Sequence, residues 1–398
     1  MHKPKNIAIL TVAYVPQSTS GALQMRDLCE TLFELGCNLT VFTPSQKNVF
    51  EIEYKYDGRL KILRFKCGAT RDVKYTTRLL NEFLMPYKMW QQFKKHSASA
   101  EKFDGIITYS PSIFFTPLSV KLKTWSRCRD YLILRDVFPQ WAADLGLISN
   151  KYVFLILQKF FERQLIAADY IGVQSKSALK WFERKKYFDS VRFEVLQNWT
   201  KSPSKTFKMK SKLDKVLNGR HCFVYAGNLG VAQGVDNIYN IAQLFSERQD
   251  VACLFVGRGS EFIKLKMFCE SMSFSNVVFL DEVPAEELTQ IYQRCSAGIV
   301  LLDHRHETHN VPGKFISYIS NGLPVIAFVN PENDLIETVR QNKLGYIFDK
   351  FESSEFFNAI DKIIAQPKTD ESQRALVDFA IKNFNVCDIA KQILSKFE

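Results

Sequence analysis

The chain has 398 residues, 46% of them hydrophobic and 24% charged, with 17 Gly and 13 Pro. That length exceeds one ordinary core and predicts two domains, and the composition excludes disordered, collagen-like and fibrous chains. No apolar run reaches the roughly 18–20 residues of a spanning helix, which excludes a multi-pass transporter.

Charge is unevenly placed. The formal total is +11, but residues 1–200 hold 30 Lys and Arg against 18 Asp and Glu, so the first half is near +12 and the rest near −1. A basic half attracts an anionic partner: nucleic acid, an anionic membrane face or a phosphorylated substrate. The nine cysteines are odd in number, widely spaced and without a C-x-x-C pair, so neither a disulfide framework nor a zinc site is expected, and a reducing cytoplasm is.

In chain order, Asn6 to Ala13 is apolar and β-branched and reads as a buried first strand rather than a secretory leader. After the loop Pro16 to Gly21, a helical stripe runs from Ala22 to Leu35, stopped by Gly36, and Leu39 to Phe42 is a second strand. Strands are also predicted at 61–65, 105–110, 131–135, 170–174 and 193–196, with helices between most of them. This half therefore reads as a doubly wound parallel sheet. Segment 71–95 mixes Leu79, Leu80, Phe83, Leu84, Tyr87, Trp90 and Phe93 with Arg71, Lys74, Arg78, Lys88, Lys94 and Lys95, the make-up of an interfacial anchor. A core helix with a solvated cationic face is the alternative, and Pro86 argues against one straight rod. No nucleic-acid fold signature accompanies the charge, so nucleic acid is not an expected partner.

Lys-rich residues 201–216 read as a linker between a domain at 1–200 and a second at 217–380. The second series has strands near 221–226, 251–256, 276–280, 297–302, 324–328 and 345–348. Two tandem Rossmann-like halves leave a cleft at facing strand ends, where such sheets bind ligands. Helical patterns at 352–365 and 371–396 close the chain, and 381–398 is expected to pack back on the first domain.

Three clusters carry candidate chemistry. After strand 221–226, AGNLGVAQG places Gly227, Asn228, Leu229, Gly230 and Gln233 at a strand-to-helix turn whose amides suit a phosphate. Neither this spacing nor GRGSEF at 257–262 completes a dinucleotide fingerprint. Such turns are packing devices about as often as ligand sites; two at equivalent strand ends favour a ligand, with Arg258 available to pair an anion. Third, Val311, Pro312 and Gly313 open a helix whose first turn carries Lys314, where the helix dipole disfavours a cation unless an anion faces it. His304, His306 and His309 lie in a loop without the spacing of a metal motif, so no metal is expected.

The runs YAGNLGVAQG (225–234), VGRG (256–259), FLDEVP (279–284) and VPGKFISYISNGLPVIA (311–327) resemble the carboxyl half of GT-B glycosyltransferases of family 4, in the bacterial polysaccharide branch that transfers amino or deoxy sugars. Arg135-Asp136-Val137-Phe138-Pro139 and the loop before Gly21 resemble the same branch, so the resemblance covers nearly the whole chain. It implies two Rossmann-like domains facing across a cleft and a hexosyl or N-acetylhexosaminyl transfer that retains anomeric configuration without a metal or cofactor. The donor would be a nucleotide sugar, expected as UDP-linked, and the acceptor a lipid-linked saccharide at the inner face of the cytoplasmic membrane.

By the same resemblance, the base lies near Asp281 to Pro284, with Glu282 and Val283, and the diphosphate near Gly227 to Gly230. Because the glycine loop lacks the cations usual there, Arg258 and Lys314 are the candidate leaving-group cations, and the amides of Ser20 and Gly21, which open the first helix, are placed to reach the diphosphate when the cleft shuts. Asp136, at the end of strand 131–135, is placed to orient the acceptor hydroxyl or accept its proton; from the residues alone, a helix N-cap or turn role for it is equally open. Two departures stand out: the usual pair of glutamates falls on His309 and Ser317, beside Asn310, and the glycine loop carries Asn228 and Gln233 where many members have cations. A same-fold sugar-nucleotide epimerase, which needs no acceptor, is one alternative, and His309 with Ser317 suggests another, an inactive nucleotide-sugar-binding protein.

Overall fold

The computed structural model describes residues 3–70, 73–96, 102–185, 192–201, 217, 219–230, 234–303, 305, 311–366 and 368–398. The chain divides into two compact units, Met1–Gln197 with Val386–Glu398, and Asn198–Asn385. Most of the expected linker, 202–216, and Arg71 lie outside the described residues.

In the first unit, β1 (Asn6–Leu10), β2 (Asn38–Pro44), β3 (Glu51–Lys55), β4 (Leu60–Phe65), β5 (Gly105–Tyr109), β6 (Arg129–Leu134), β7 (Tyr170–Val173) and β8 (Arg192–Val195) form one sheet in the order β3-β4-β2-β1-β5-β6-β7-β8. All neighbours are parallel except β3 on β4. Parallel strands are covered on both faces, and the all-buried pattern of β5 is the consequence. The helices of this unit are α1 (Ser20–Glu34), α2 (Tyr75–His96), α3 (Thr116–Ser126), α4 (Gln140–Asp144), α5 (Lys151–Ala167) and α6 (Lys176–Arg184). Side-chain caps start α1 from Thr19, α5 from Asn150 and α6 from Ser175.

Strand β3 was not expected from the sequence. β3 is a half-exposed edge strand, and its partner Arg64 donates to Glu53 at 3.0 Å. Pro86 sits inside a single helix, α2.

The second unit holds β9 (His221–Asn228), β10 (Val251–Arg258), β11 (Val277–Asp281), β12 (Ala297–Leu301), β13 (Val325–Phe328) and β14 (Gly345–Phe348), all parallel, in the order β11-β10-β9-β12-β13-β14. Its helices are α7 (Val235–Ser246), α8 (Ser260–Ser271), α9 (Ala285–Arg294), α10 (Gly313–Ser320), α11 (Leu335–Gln341), α12 (Ser353–Ala365) and α13 (Asp370–Asn383). Apolar clusters cover both sheet faces, one around Tyr318, Leu254 and Val325, the other around Phe223, Phe255 and Phe356.

The expected single closing helix is two. After α13, the Thr200 amide donates to the Phe384 carbonyl at 3.0 Å and Thr200 bridges Asn385. α14 (Val386–Leu394) then belongs to the first unit, against α1. There Gln392 donates to the Val195 carbonyl at 3.0 Å, and the Phe397 ring fills the space left by Gly105. Among the described residues no helix is long and apolar enough to cross a membrane.

Candidate functional site

The second unit is organised around missing side chains. Gly298 in β12 has no Cβ, and a Cβ there would lie 2.3 Å from the Tyr318 ring, so this position seats Tyr318 against the sheet. The Tyr318 hydroxyl then accepts from the Ala226 amide of β9 at 2.8 Å, and its ring meets Tyr292 edge-on at 5.1 Å. These contacts lock α10, whose first turn carries Lys314. That side chain crosses to the end of β9: a Cβ at Gly227 would be 3.1 Å from Lys314 Cε, and the ammonium lies 4.9 Å above the Tyr225 ring. Two motifs separated by almost ninety residues thus meet at one point.

The two glycine turns have different jobs. Gly257 and Gly259 have φ of +147° and +133°, and a Cβ on either would strike the Gly227 or Leu229 carbonyl oxygen at 2.1 or 2.2 Å. The Leu229 amide donates to the Arg258 carbonyl at 2.7 Å, and the Glu261 amide of α8 donates back to the Leu229 carbonyl at 3.2 Å. This second turn is a packing device that presses the first into place. The face of Gly227 is what remains for a ligand beside Lys314.

Register sets the neighbours. Arg258 lies beside Asn228, and Gly257 beside Asp281, so the ends of β9, β10 and β11 are adjacent. Arg258 pairs with Glu282 at 3.2 Å, both well exposed, which makes this a weak and breakable contact. Val283 follows, and Pro284 begins α9. Helices α7, α8 and α10 start at Gly234, Gly259 and Pro312 without a side-chain cap among the described residues, in contrast to α1, α5 and α6. Uncapped amides at α10, beside an ammonium, form a place for negative charge.

Other expected residues are placed as follows. Ser317 lies one turn beyond Lys314, beside the buried Tyr292 hydroxyl. Val311 offers its carbonyl to the Asn198 side-chain amide at 3.2 Å; Asn198 is buried and anchors the entry to α10. Gly230 is half-buried and Asn228 exposed. Gln233, His309 and Asn310 lie outside the described residues, as do His304 and His306 of the histidine loop. Sequence reasoning passed over Asn198, Gly298, Tyr318, and Asp303 with Arg305. Asp303 is buried at the end of β12 and accepts two hydrogen bonds from the Arg305 guanidinium at 2.9 and 2.7 Å, close to Gly234. Ordinary residue types at non-motif spacing gave no signal for these.

The first unit brings together its own polar cluster at the ends of β1, β5 and β6. Arg135 donates to Gln24 Oε1 and the Tyr109 hydroxyl, both at 2.7 Å, and to Ser20 Oγ at 3.3 Å. Tyr109 donates to the same Gln24 oxygen at 3.0 Å, and Gly21 sits against Tyr109 and Arg135. Burial pushes the Tyr109 phenol above its ordinary value despite Arg135, so it remains a donor. Asp136 follows directly and acts electrostatically on both Arg135 and Tyr109. It does not cap α4, whose N-cap is Pro139, so the N-cap half of the alternative is corrected. Gln24 and Tyr109 went unread because they look like ordinary helix and strand residues.

Residues 209–382 match the family model described as glycosyl transferases group 1. A curated relative, the probable glycosyltransferase WbjE of Pseudomonas aeruginosa, is 20% identical over 221 residues; the match spans 54% of each chain, so the chain spans about half the length of that relative. Sucrose-phosphate synthase from Thermosynechococcus elongatus superposes with a TM-score of 0.76 at 15% identity, covering 98% of both chains. Anabaena HepE in complex with UDP-glucose superposes at 0.68 with 14% identity and the same coverage. The two parallel-sheet Rossmann-like domains are those of GT-B glycosyltransferase structures.

Proposed function

We propose that the chain is a glycosyltransferase whose second domain binds a nucleotide sugar, with UDP the expected nucleotide, at the ends of β9 and β10 facing α10. The observation that carries this reading is Lys314, set in a helix's first turn where the dipole disfavours it and held directly over Gly227. Transfer breaks the bond from the anomeric carbon to the diphosphate, and negative charge gathers on the leaving oxygen. The ammonium of Lys314 and the amides that open α10 supply fixed opposite charge for it, and Arg258 is available once it leaves Glu282. The family match over 209–382 and the UDP-glucose named for HepE support this donor class.

The first domain, in this reading, receives the acceptor, a saccharide that is free or lipid-linked, near Arg135 and Asp136. Asp136 orients the acceptor hydroxyl or takes its proton. A hexosyl or N-acetylhexosaminyl unit moves with retention and without a metal, in bacterial surface polysaccharide assembly at the cytoplasmic membrane face. The test is a panel of labelled nucleotide sugars with and without a polyprenyl-diphosphate saccharide, reading acceptor-dependent release of the nucleotide and the anomeric configuration of the product. Epimerised donor without acceptor would make the protein an epimerase, and donor binding with neither reaction would make it a binding protein. No donor binding at all would overturn the reading.

A further inference from the structure

We propose that α2 and α5 of the first unit together form a docking face for an anionic lipid bilayer, with α5 supplying the larger apolar share. α2 has two faces. Met85, Met89 and Phe93 are buried in the core with Phe42, Phe65 and Phe103, so part of the aromatic set that suggested an anchor is core. Leu79, Leu80, Phe83 and Tyr87 face outward.

α5 repeats the division. Leu157, Phe161 and Leu165 are buried, whereas Tyr152 is 77% exposed, Ile156 57% and Ile166 64%. At about 100° per residue, Tyr152, Ile156, Lys159, Arg163 and Ile166 fall in one narrow arc. The solvent side of an ordinary surface helix is polar; here it is apolar, and its polar members are cations. The helices join through aromatic contacts: Phe83 meets Phe160 at 5.7 Å, and Phe160 meets Phe114 at 5.3 Å. Lys121 lies 5.5 Å from the Tyr87 ring and Arg163 5.9 Å from Phe160, so charge rims the apolar surface.

Charge selects the occupant. The acidic residues on these helices are Glu82 and Glu162, and Glu82 is paired with Arg78 at 2.7 Å. Arg78 is engaged with Glu82 and Lys88 donates to the Cys67 carbonyl at 3.3 Å, but the exposed Lys94, Lys95, Lys151, Lys159 and Arg163 still outweigh the acids, in a half of the chain already near +12. A second copy presenting the same face would bring those cations together, whereas an anionic leaflet attracts the cations and takes up the leucine, isoleucine and tyrosine side chains. The inference does not depend on sugar transfer, since a chain that bound no nucleotide sugar would still dock.

The test is co-sedimentation of the full-length protein with phosphatidylcholine vesicles, with and without phosphatidylglycerol, over a salt series. Binding should require phosphatidylglycerol and weaken with salt, and Tyr152→Ser with Ile156→Ser should lower the partition coefficient about tenfold or more, given the apolar area removed. Ile263→Ser with Met267→Ser, equally exposed on α8 of the second unit, should leave binding unchanged. All four positions are on the surface, so thermal melts of the variants should match the parent. Three results would overturn the proposal: no binding to anionic vesicles at low salt, undiminished binding by the α5 variant, or light scattering that shows a dimer which the α5 variant dissociates. Donor binding, measured on the same samples, reports on the sugar-transfer reading separately.

Discussion

Replacing Lys314 by Ala separates a ligand role from a packing role. On the structural side, the substitution removes a cation 4.9 Å from the Tyr225 ring, worth about 0.5–1 kcal/mol. It also removes an unfavourable cation from a helix start, which returns about 0.3–1 kcal/mol. These two contributions nearly cancel, so between them they move stability by less than about 1 kcal/mol, a shift of no more than about 2–4 °C in Tm for a chain of this size. On the functional side, a lost contact to a developing oxyanion raises the barrier by about 3–4 kcal/mol, so acceptor-dependent transfer should fall on the order of 10²–10³-fold. The assay is initial-rate transfer beside a thermal melt of the same sample. Transfer near the parental rate, or a loss matched by unfolding, would refute the assignment of Lys314 to the leaving group.

Three further outcomes follow from other parts of the fold. Gly257→Ala places a Cβ 2.1 Å from a backbone oxygen at φ +147°, so it should cost about 2–4 kcal/mol in denaturant titration; Gly36→Ala, at φ +91° with open space around it, should cost only about 1 kcal/mol. Equal costs would remove the close-approach argument. Burial, opposed by hydrogen bonds from Ser119 and Thr108, pushes the Asp130 carboxyl from 3.8 up to about 6. The native chain then holds a proton that the unfolded chain has lost, so this group's contribution to stability declines as pH rises from about 4 to 6, by about 3 kcal/mol in all. Asp130→Asn should therefore gain on the parent across that window, and a pH-independent difference would contradict it. Asp136→Asn should abolish transfer while leaving donor binding intact; unchanged transfer would remove Asp136 from the chemistry.

Much of the fold is legible because buried parallel strands are short apolar runs bounded by turns, and such runs mark every described strand except β3. The edge strand β3 was missed because Glu51, Glu53 and Lys55 alternate with only Ile52 and Tyr54, a pattern a solvated loop shares. The helix break at 384–385 was hidden because Phe384 and Val386 keep the apolar period while the backbone leaves it to bridge Thr200. At the candidate site, Lys314 and Gly227 stand out in the sequence because a cation at a helix start and glycines at a strand end run against local preference, and the structure brings the two together. Gly298, Tyr318 and Asn198 do not stand out, because their work is to hold others: a ring seated in a missing Cβ, or an amide closing a loop, leaves no mark in spacing. Gly257 and Gly259 were visible as glycines, but their reason is a backbone contact between two strands that sequence does not pair.

The central claim, that the second domain binds a nucleoside diphosphate at the meeting of Gly227 and Lys314, is tested most directly by amide hydrogen exchange of the full-length protein with and without saturating UDP. Protection should appear in peptides covering 225–230 and 311–317, and should vanish in Lys314→Ala at the same UDP concentration. Protection confined to other segments, or none despite UDP and UDP-sugars at saturating concentration, would contradict it.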